Sequence, residues 1–446
     1  MMKKTLVTTS LILFSPFCFA LDLVEAYELA KRNDPNWQAN LYQYESEQQN
    51  LGVAKANLLP TVTVGGSVTR RHQELDDSNT WNRVLNTLDL MPTTTTTKQA
   101  AISVRQPLFR LEAWQGYKQV KTSLELSEVT LKLQRQKHLL NVSEAYFNVL
   151  RQQALTATNL QEEKALYEQL RAMNARQKEG LVSRSDVGEA NAQYHNARAN
   201  RIATGVQLVL AQEQLAQLIG TYQDKLAVLR DDFQYQKPVP ASLNEWANLA
   251  ETHNLEVLQG KLQLKVAEDQ RRIEQAARYP TIDAVGSYGY TAQSPNSLIS
   301  NDGQFNQIGV EMNWNVFTSG RTKANIQKAK LNVKKTDSQL SAIIRKATTD
   351  VKKSYMQVET DQSTLQARKT AMDSSALVSR ASQAQYNEGL KSMVDVLLAQ
   401  RNAFSAKQQY VNTQYDYILN VLRLKAAIGQ LNEQELAQMN AWLTYK

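Results

Sequence analysis

Two hydrophobic patterns alternate along the chain. Four short segments alternate apolar and polar residues with a period of two, and the long stretches between them repeat apolar residues at spacings of three, four and seven. A period of two puts alternate side chains on opposite faces of a β-strand, whereas a spacing of seven lines one side of a coiled-coil helix. The pattern therefore predicts short amphipathic strands joined by long helices.

The helical stretches contain no proline between residues 108 and 237 or after 295, and they are rich in good helix formers. From Arg110 to Glu179 nothing interrupts the helix, which predicts a length of about 105 Å. A later helix carries two adjacent heptad stripes, Leu397, Phe404, Val411 and Ile418 beside Ala403, Tyr410, Tyr417 and Leu424. Two stripes indicate neighbours on two sides, as in a ring of helices; an ordinary long bundle is the alternative.

A short motif occurs twice, as RQKEGLVSRSDVGEA at 176–190 and as QYNEGLKSMVDVLLA at 385–399. Each copy holds Glu-Gly-Leu after a long helix and an Asp-Val pair soon afterwards. Glycine commonly ends a helix, so Gly180 and Gly389 are predicted terminators. Each copy is then the tip of a long antiparallel helical hairpin.

The similarity between the two halves is wider than the tips. LDLVEAYELA (21–30) matches ASLNEWANLA (241–250), and LLPTVTVGGSVTR (58–70) matches RYPTIDAVGSYGY (278–290). Matches in the same order indicate internal duplication. The predicted organisation is a signal peptide at 1–20, a first repeat at 21–240 with a β-hairpin at about 59–109 and a tip near 180, and a second repeat at 241–446 with a hairpin at about 279–317 and a tip near 389.

The four strand segments have one apolar and one polar face and about the length that a tilted membrane strand needs. The fourth is the clearest, with Ile308, Val310, Met312, Trp314 and Val316 on one face. Open strand edges are costly in lipid, and four strands cannot close a barrel, so the chain is expected to oligomerise. Two copies supply about eight strands and three supply about twelve, enough for a pore. The polar segments 71–97 and 291–304 are predicted external loops.

Composition narrows the class of protein. Lys3 and Lys4, an apolar run and Cys18-Phe19-Ala20 form a secretory signal, and Phe17 before the cysteine argues against a lipid anchor. The single cysteine is expected to leave with this signal, which excludes disulfide chemistry. The net charge of +8 is mild and carries no basic run, so no nucleic acid is expected.

Enzyme chemistry is not expected either. The four histidines are scattered without metal-ligand spacing, and there is no phosphate-binding glycine loop. We therefore predict no catalytic residues, no metal and no cofactor. Two function classes remain open at this point, namely a trimeric export duct and a secreted or surface coiled-coil structural protein without a pore.

The chain resembles the TolC family of outer-membrane export ducts over essentially its whole mature length. The resemblance rests on LLP at 58–60, AYFNVL at 145–150, EGL and DV at 179–187, and the C-terminal runs YNEGLKSMVDVL and YDYILNVLRLKAAIGQLNEQEL. It implies a mixed α+β membrane protein, a homotrimer whose twelve-stranded outer-membrane barrel continues into a long periplasmic helical barrel. The implied function is a passive exit duct for tripartite drug efflux or type I protein secretion in a Gram-negative bacterium. The implied partners are a periplasmic adaptor (membrane fusion) protein, an inner-membrane pump of the RND, ABC or MFS type, and outer-membrane lipid.

The resemblance also implies roles for particular residues at the periplasmic entrance. Adaptor docking falls on the hairpin tips Glu179, Gly180, Leu181, Glu388, Gly389 and Leu390. The closed state is held by a latch of Asp186, Tyr386 and Lys391, in which Lys391 replaces an arginine and loses its bidentate geometry. The constriction carries Asp395, while Leu398 stands where a second acid is expected. A single carboxylate ring predicts weak cation selectivity and weaker block by multivalent cations.

Overall fold

The computed structural model describes residues 20–73, 80–87, 93–221, 225–230, 233, 235, 238–240, 242–295 and 302–445. The predicted signal peptide lies outside these residues except for Ala20. The chain divides into two compact units. One contains the residues up to Asn40, Lys132–Leu255 and the residues from Arg345 onward, and the other contains Leu41–Leu131 and Glu256–Ile344.

The elements of the two halves correspond in length. Helices of 11 and 22 residues precede each β-hairpin, helices of 68 and 67 residues follow it, and return helices of 36 and 35 residues come next. In the first half these are α1 (Leu23–Asn33), α2 (Pro35–Ala56), β1 (Thr61–His72), α3 (Thr80–Thr87), β2 (Thr94–Phe109), α4 (Leu111–Lys178), α5 (Arg184–Ile219) and β3 (Val228–Leu229). In the second half they are α6 (Leu243–His253), α7 (Leu255–Ala276), β4 (Thr281–Ser294), β5 (Gly303–Asn313), α8 (Arg321–Asn387), α9 (Met393–Ala427), α10 (Glu433–Asn440) and β6 (Leu443–Thr444). The matched lengths support a duplication, whose boundaries stay a prediction.

One unit contains a four-stranded antiparallel sheet in the order β1-β2-β4-β5. Its register puts the predicted apolar residues in the same rows, for example Val62 opposite Val104, Val104 opposite Gly286 and Gly286 opposite Ile308. The neighbouring rows hold Thr63, Ser103, Ser287 and Gln307. The apolar face is open in the single chain, where Ile308 is 92 % exposed. The predicted amphipathic sheet of four strands per chain is therefore confirmed.

The strand ends differ from the sequence prediction. The fourth strand ends at Asn313, so Trp314 and Val316 follow it instead of belonging to it. The predicted loop segments 71–97 and 291–304 contain strand ends and α3. Their remaining residues, 74–79, 88–92 and 296–301, lie outside the described part of the chain. Hydrogen bonding between strands continues beyond the alternating pattern because backbone pairing does not require an apolar side chain.

The other unit packs around a large apolar core. Both predicted heptad stripes of α9 enter it, since Val411 and Ile418 of one stripe and Tyr417 and Leu424 of the other are buried. The helix therefore has neighbours on two sides. Tyr146 of α4 lies at the centre of this core, and its hydroxyl is shared between the carbonyl oxygens of Leu21 and Ala227 at 2.9 and 2.8 Å. This contact fixes the segment before α1 against the one before β3.

Within the described residues, none of the helices combines the length and apolar character that a membrane-crossing helix requires.

Candidate gate at the tips of the helical hairpins

Each long helix ends in the same way. Gly180 after α4 has φ +73° and Gly389 after α8 has φ +74°, a left-handed backbone that a glycine adopts without steric cost. The amides of Gly180 and Leu181 donate to carbonyl oxygens of Gln177 and Arg176, both at 2.9 Å. The second tip repeats the two bonds, from Gly389 to Tyr386 at 3.0 Å and from Leu390 to Gln385 at 2.8 Å. The glycine of the repeated motif therefore terminates each helix, as predicted.

Each return helix begins with a capping box. In α5, the Ser183 hydroxyl accepts from the Asp186 amide at 3.1 Å, and the Asp186 carboxylate accepts from the Ser183 amide at 3.1 Å. In α9, Ser392 and Asp395 form the same pair at 3.2 and 3.1 Å. These bonds satisfy amides that the first turn of a helix leaves unpaired. The aspartate of each motif copy, Asp186 or Asp395, therefore helps to cap the N-terminus of the return helix.

The two tips lie side by side in one chain. A small buried cluster joins α4, α5 and α9 through Leu166, Met173, Ala190, Ala197, Met393, Val396 and Leu397. Tyr386 of α8 and Val182 and Val187 of the first tip pack against it. The apolar residues of both motif copies therefore make one local core, which holds the four helix ends together.

The three predicted latch residues lie in this region, and each has its own contact. Asp186 is bonded to Ser183, while the Tyr386 ring lies 5.0 Å from the guanidinium carbon of Arg176. Lys391 Nζ donates to the buried hydroxyl of Ser382 at 3.0 Å, so it lies against its own long helix. Among the described residues, no hydrogen bond joins Asp186, Tyr386 and Lys391 to one another. The latch stays a prediction.

The predicted constriction residues lie on the first turns of α9. Asp395 and Leu398 are three positions apart and share one helix face, and both are exposed, Leu398 to 46 %. Hydrogen bonds from the Ser392 hydroxyl and amide, with the nearby charge of Lys391, lower the pKa of Asp395. The predicted docking residues Glu179, Gly180, Leu181, Glu388, Gly389 and Leu390 are also exposed.

Several residues that shape the tips were not predicted from the sequence. They are the caps Ser183 and Ser392 and the partners Arg176 and Ser382. The caps had a visible signal, because Ser-x-x-Asp before an apolar run occurs in both motif copies. The two partners had none, since their pairing depends on how the hairpins pack.

A second charged group lies in the unit that contains the sheet. The Asp283 carboxylate accepts two bonds from Arg110, at 2.9 and 2.6 Å, and one from Arg105 at 2.9 Å. Arg105 also pairs with Glu311 at 2.9 Å. Four charged groups of β2, β4, β5 and the start of α4 therefore form one ion-paired cluster at the helix-proximal ends of the strands.

No group of three or more possible metal-ligating side chains occurs in the part of the chain that the structure describes.

The chain is similar to known proteins in both fold and sequence. The fold is that of outer-membrane channels: it matches the crystal structure of the open state of the MtrE outer membrane channel of Neisseria gonorrhoeae with a TM-score of 0.76, at 20 % identity, over 92 % of this chain and 90 % of that one. The outer membrane protein TolC of Escherichia coli (strain K12) is 29 % identical, with 98 % of this chain and 89 % of that protein aligned. The alkaline protease secretion protein AprF of Pseudomonas aeruginosa is 26 % identical, over 96 % of this chain and 88 % of AprF.

The sequence profile named outer membrane efflux protein matches residues 26–221 and 246–430. The chain belongs to this family. The predicted fold class, the outer-membrane location in a Gram-negative bacterium and the general function of an efflux or secretion channel are thereby confirmed.

Proposed function

We propose that three copies of the chain form a passive export duct for drug efflux or type I secretion, closed at rest by the helical tips. The observation that carries the proposal is the sheet. One face is mainly apolar and suits lipid, and the other is mainly polar and suits water. The start of β5 departs from this pattern, since Asn306 lies opposite Tyr288 on the apolar face and Phe305 opposite Gly289 on the polar face.

The sheet also supports oligomerisation. β1 and β5 form its two edges, with 12 and 11 residues. Every second residue of an edge strand points its backbone N–H and C=O away from the sheet, and in lipid these groups cost several kcal/mol apiece if unpaired. Pairing β1 of one copy with β5 of the next removes both edges. Three copies give about twelve strands, a barrel wide enough for a water-filled interior.

The tips suit a gate because they combine a rigid core with exposed polar ends. The buried cluster around Met173 and Val396 holds the helix ends, while Asp186, Lys391 and Asp395 lie at the surface or near it. We assign Asp186, Tyr386 and Lys391 to the closing latch and Asp395 and Leu398 to the constriction. The exposed Leu181 and Leu390 of the two tips are the apolar contacts for a docking partner.

We assign partners to the duct because its sequence has no phosphate-binding glycine loop that could couple transport to ATP hydrolysis. We assign it a periplasmic adaptor that contacts the tips and an inner-membrane pump that selects the cargo. TolC and AprF, the second named for alkaline protease secretion, are similar to the chain over nearly its full length. Both kinds of export therefore fit the same duct, and no enzymatic activity is assigned to it.

A pore-free structural coiled coil is the other candidate. It has no use for a sheet whose apolar face is open along four strands, so the sheet favours the duct.

Purification and conductance distinguish the two candidates. We expect the protein to require detergent, to have the mass of three chains in the micelle, and to give small, discrete single-channel currents in a planar bilayer. A protein that stays folded without detergent and gives no currents at any concentration contradicts the duct.

A further inference from the structure

Three basic residues lie on the apolar face of the sheet at one end. On β1, Arg70 and then His72 follow Val68 on this face, and Lys98 of β2 lies opposite Val68. The side chains of Arg70, His72 and Lys98, here called the basic patch, are exposed. The patch lies at the distal end of the sheet, the end away from α4, because β2 leads directly from Lys98 into that helix.

The basic patch lies at the border of the apolar band. On β4, the residues of the apolar face run from Ile282 to Ala292. At about 3.4 Å per residue these two positions are about 34 Å apart along the strand. A tilt of about 35–45° converts this length to about 24–28 Å of height, close to the apolar band of about 25 Å in outer-membrane barrels. The next row on this face contains Arg70, Thr96 and Ser294, so it falls at the level of the lipid head groups.

The side chains of the patch can contact one ligand together. Arg70 and Lys98 are diagonal neighbours across β1 and β2, a spacing of about 7–8 Å that long side chains bridge. Thr96 lies opposite Arg70, and Nδ1 of His72 lies 2.9 Å from Oγ1 of Thr94. Guanidinium, ammonium and hydroxyl groups all donate to phosphate oxygens, and a guanidinium does so in a bidentate way.

Within the four strands, no acid shares this face with the patch. The acids of the strands are Asp283 and Glu311, which lie on the polar face and pair with arginines. Asp302, the one acid among the described residues that connect the strands at the distal end, accepts the Gln293 amide at 2.6 Å. A positive patch at the head-group level attracts anionic lipids.

Resting on the proposed duct, in which the apolar face meets lipid, we propose that Arg70 and Lys98 bind a phosphate of lipopolysaccharide in the outer leaflet. The long helices of this family lie on the periplasmic side, so the distal end of the sheet reaches the outer leaflet. Lipid A, the anchor of lipopolysaccharide, carries both phosphates and acyl chains. Its phosphate meets the basic patch while its chains lie along the apolar face, a combination that a free phosphate ion lacks.

The test is binding of lipid A to detergent-solubilised trimers, measured by native mass spectrometry over a range of lipid concentrations. Combining Arg70→Gln with Lys98→Gln removes two charges, and we expect the Kd for lipid A to rise about 10- to 30-fold. Arg70→Lys keeps the charge and loses the bidentate geometry, so its Kd should lie between those of wild type and the double variant.

Arg71→Gln is the matched control. Arg71 is the neighbour of Arg70 in sequence and lies opposite Thr95 on the polar face, so its replacement removes the same charge from the other side of the sheet. We expect it to bind lipid A as tightly as wild type. The site is overturned if Arg71→Gln weakens binding as much as Arg70→Gln, or if the double variant binds as wild type does. Inorganic phosphate that displaces lipid A at equal concentration overturns the choice of a lipid.

Trimer mass and single-channel currents, measured on the same preparations, separate the lipid site from the duct. Trimers that conduct but bind lipid A independently of Arg70 and Lys98 overturn the site and leave the duct in place. Wild-type chains that form no trimers and give no currents contradict the duct, and the site with it.

Discussion

Gly429 is expected to be far less tolerant of a side chain than Gly180, although both follow the end of a long helix. Both have a φ of +73°. Both also donate a backbone hydrogen bond that ends the helix, from the Gly429 amide to the Ala426 oxygen and from the Gly180 amide to the Gln177 oxygen, each at 2.9 Å. Alanine in this left-handed conformation costs about 1–2 kcal/mol at either position. This cost is common to both sites and cancels in the comparison.

The surroundings of the two glycines differ. A Cβ on Gly180 meets no described atom within 4 Å, whereas a Cβ on Gly429 collides with the backbone carbonyl of His253 at the end of α6. That backbone is held in place, because Asn254 Nδ2 donates to the Ala427 oxygen at 2.7 Å. Relieving such a collision costs about 1–3 kcal/mol more. We therefore expect total losses of about 2–5 kcal/mol for Gly429→Ala and about 1–2 kcal/mol for Gly180→Ala.

The assay is chemical denaturation in detergent followed by helical circular dichroism, with all proteins at one concentration because oligomer stability depends on it. The midpoint for Gly429→Ala should fall well below that for Gly180→Ala, which should fall slightly below wild type. Equal midpoints for the two variants would show that the close approach of α6 to the end of α9 does not constrain the protein.

Other predictions concern single buried groups. Glu162 is buried, its Oε2 has no hydrogen-bond partner among the described residues, and burial raises its pKa. The stabilising contribution of protonated Glu162 is complete below the unfolded-state pKa and is lost as pH rises through the raised folded-state pKa. Glu162→Gln should therefore be more stable than wild type at neutral pH and equal to it in acid. Thermal melts at several pH values measure this difference. Glu163→Gln, which removes a pair with Arg201 at 2.5 Å, should lack this gain. Tyr146→Phe leaves two buried carbonyl oxygens without its hydroxyl and should cost about 1–2 kcal/mol in the same denaturation assay, and an unchanged midpoint would refute that bond.

The sequence was most informative where structure depends on local periodicity. The period of two placed Val62, Val104 and Ile308 on one face, and the register confirmed it because side chains alternate strictly along a strand. The glycine at each tip predicted where the long helices end, since few other residues accept a positive φ.

Contacts between residues that are distant in the chain could not be predicted from the sequence. The contacts of Tyr386 with Arg176 and of Lys391 with Ser382 depend on how helices distant in sequence meet and on which rotamers the long side chains adopt. The ion-paired cluster around Asp283 could not be predicted either, because the partners of Asp283 come from two other strands and from the residue before α4. Arg105, Asp283 and Glu311 were visible as charges on the polar sides of their strands, but their pairing with one another and with Arg110 required the register.

The central claim is a pore that the helical tips hold closed, and the most direct test is the conductance of single channels in a planar bilayer. Wild type should conduct weakly, and Asp186→Ala should conduct more because it removes the proposed latch carboxylate. Ser183→Ala is the control, since it weakens the same cap while leaving that carboxylate in place. A larger conductance in Asp186→Ala alone supports the account, whereas well-folded trimers that give no channels in either variant or in wild type would contradict it.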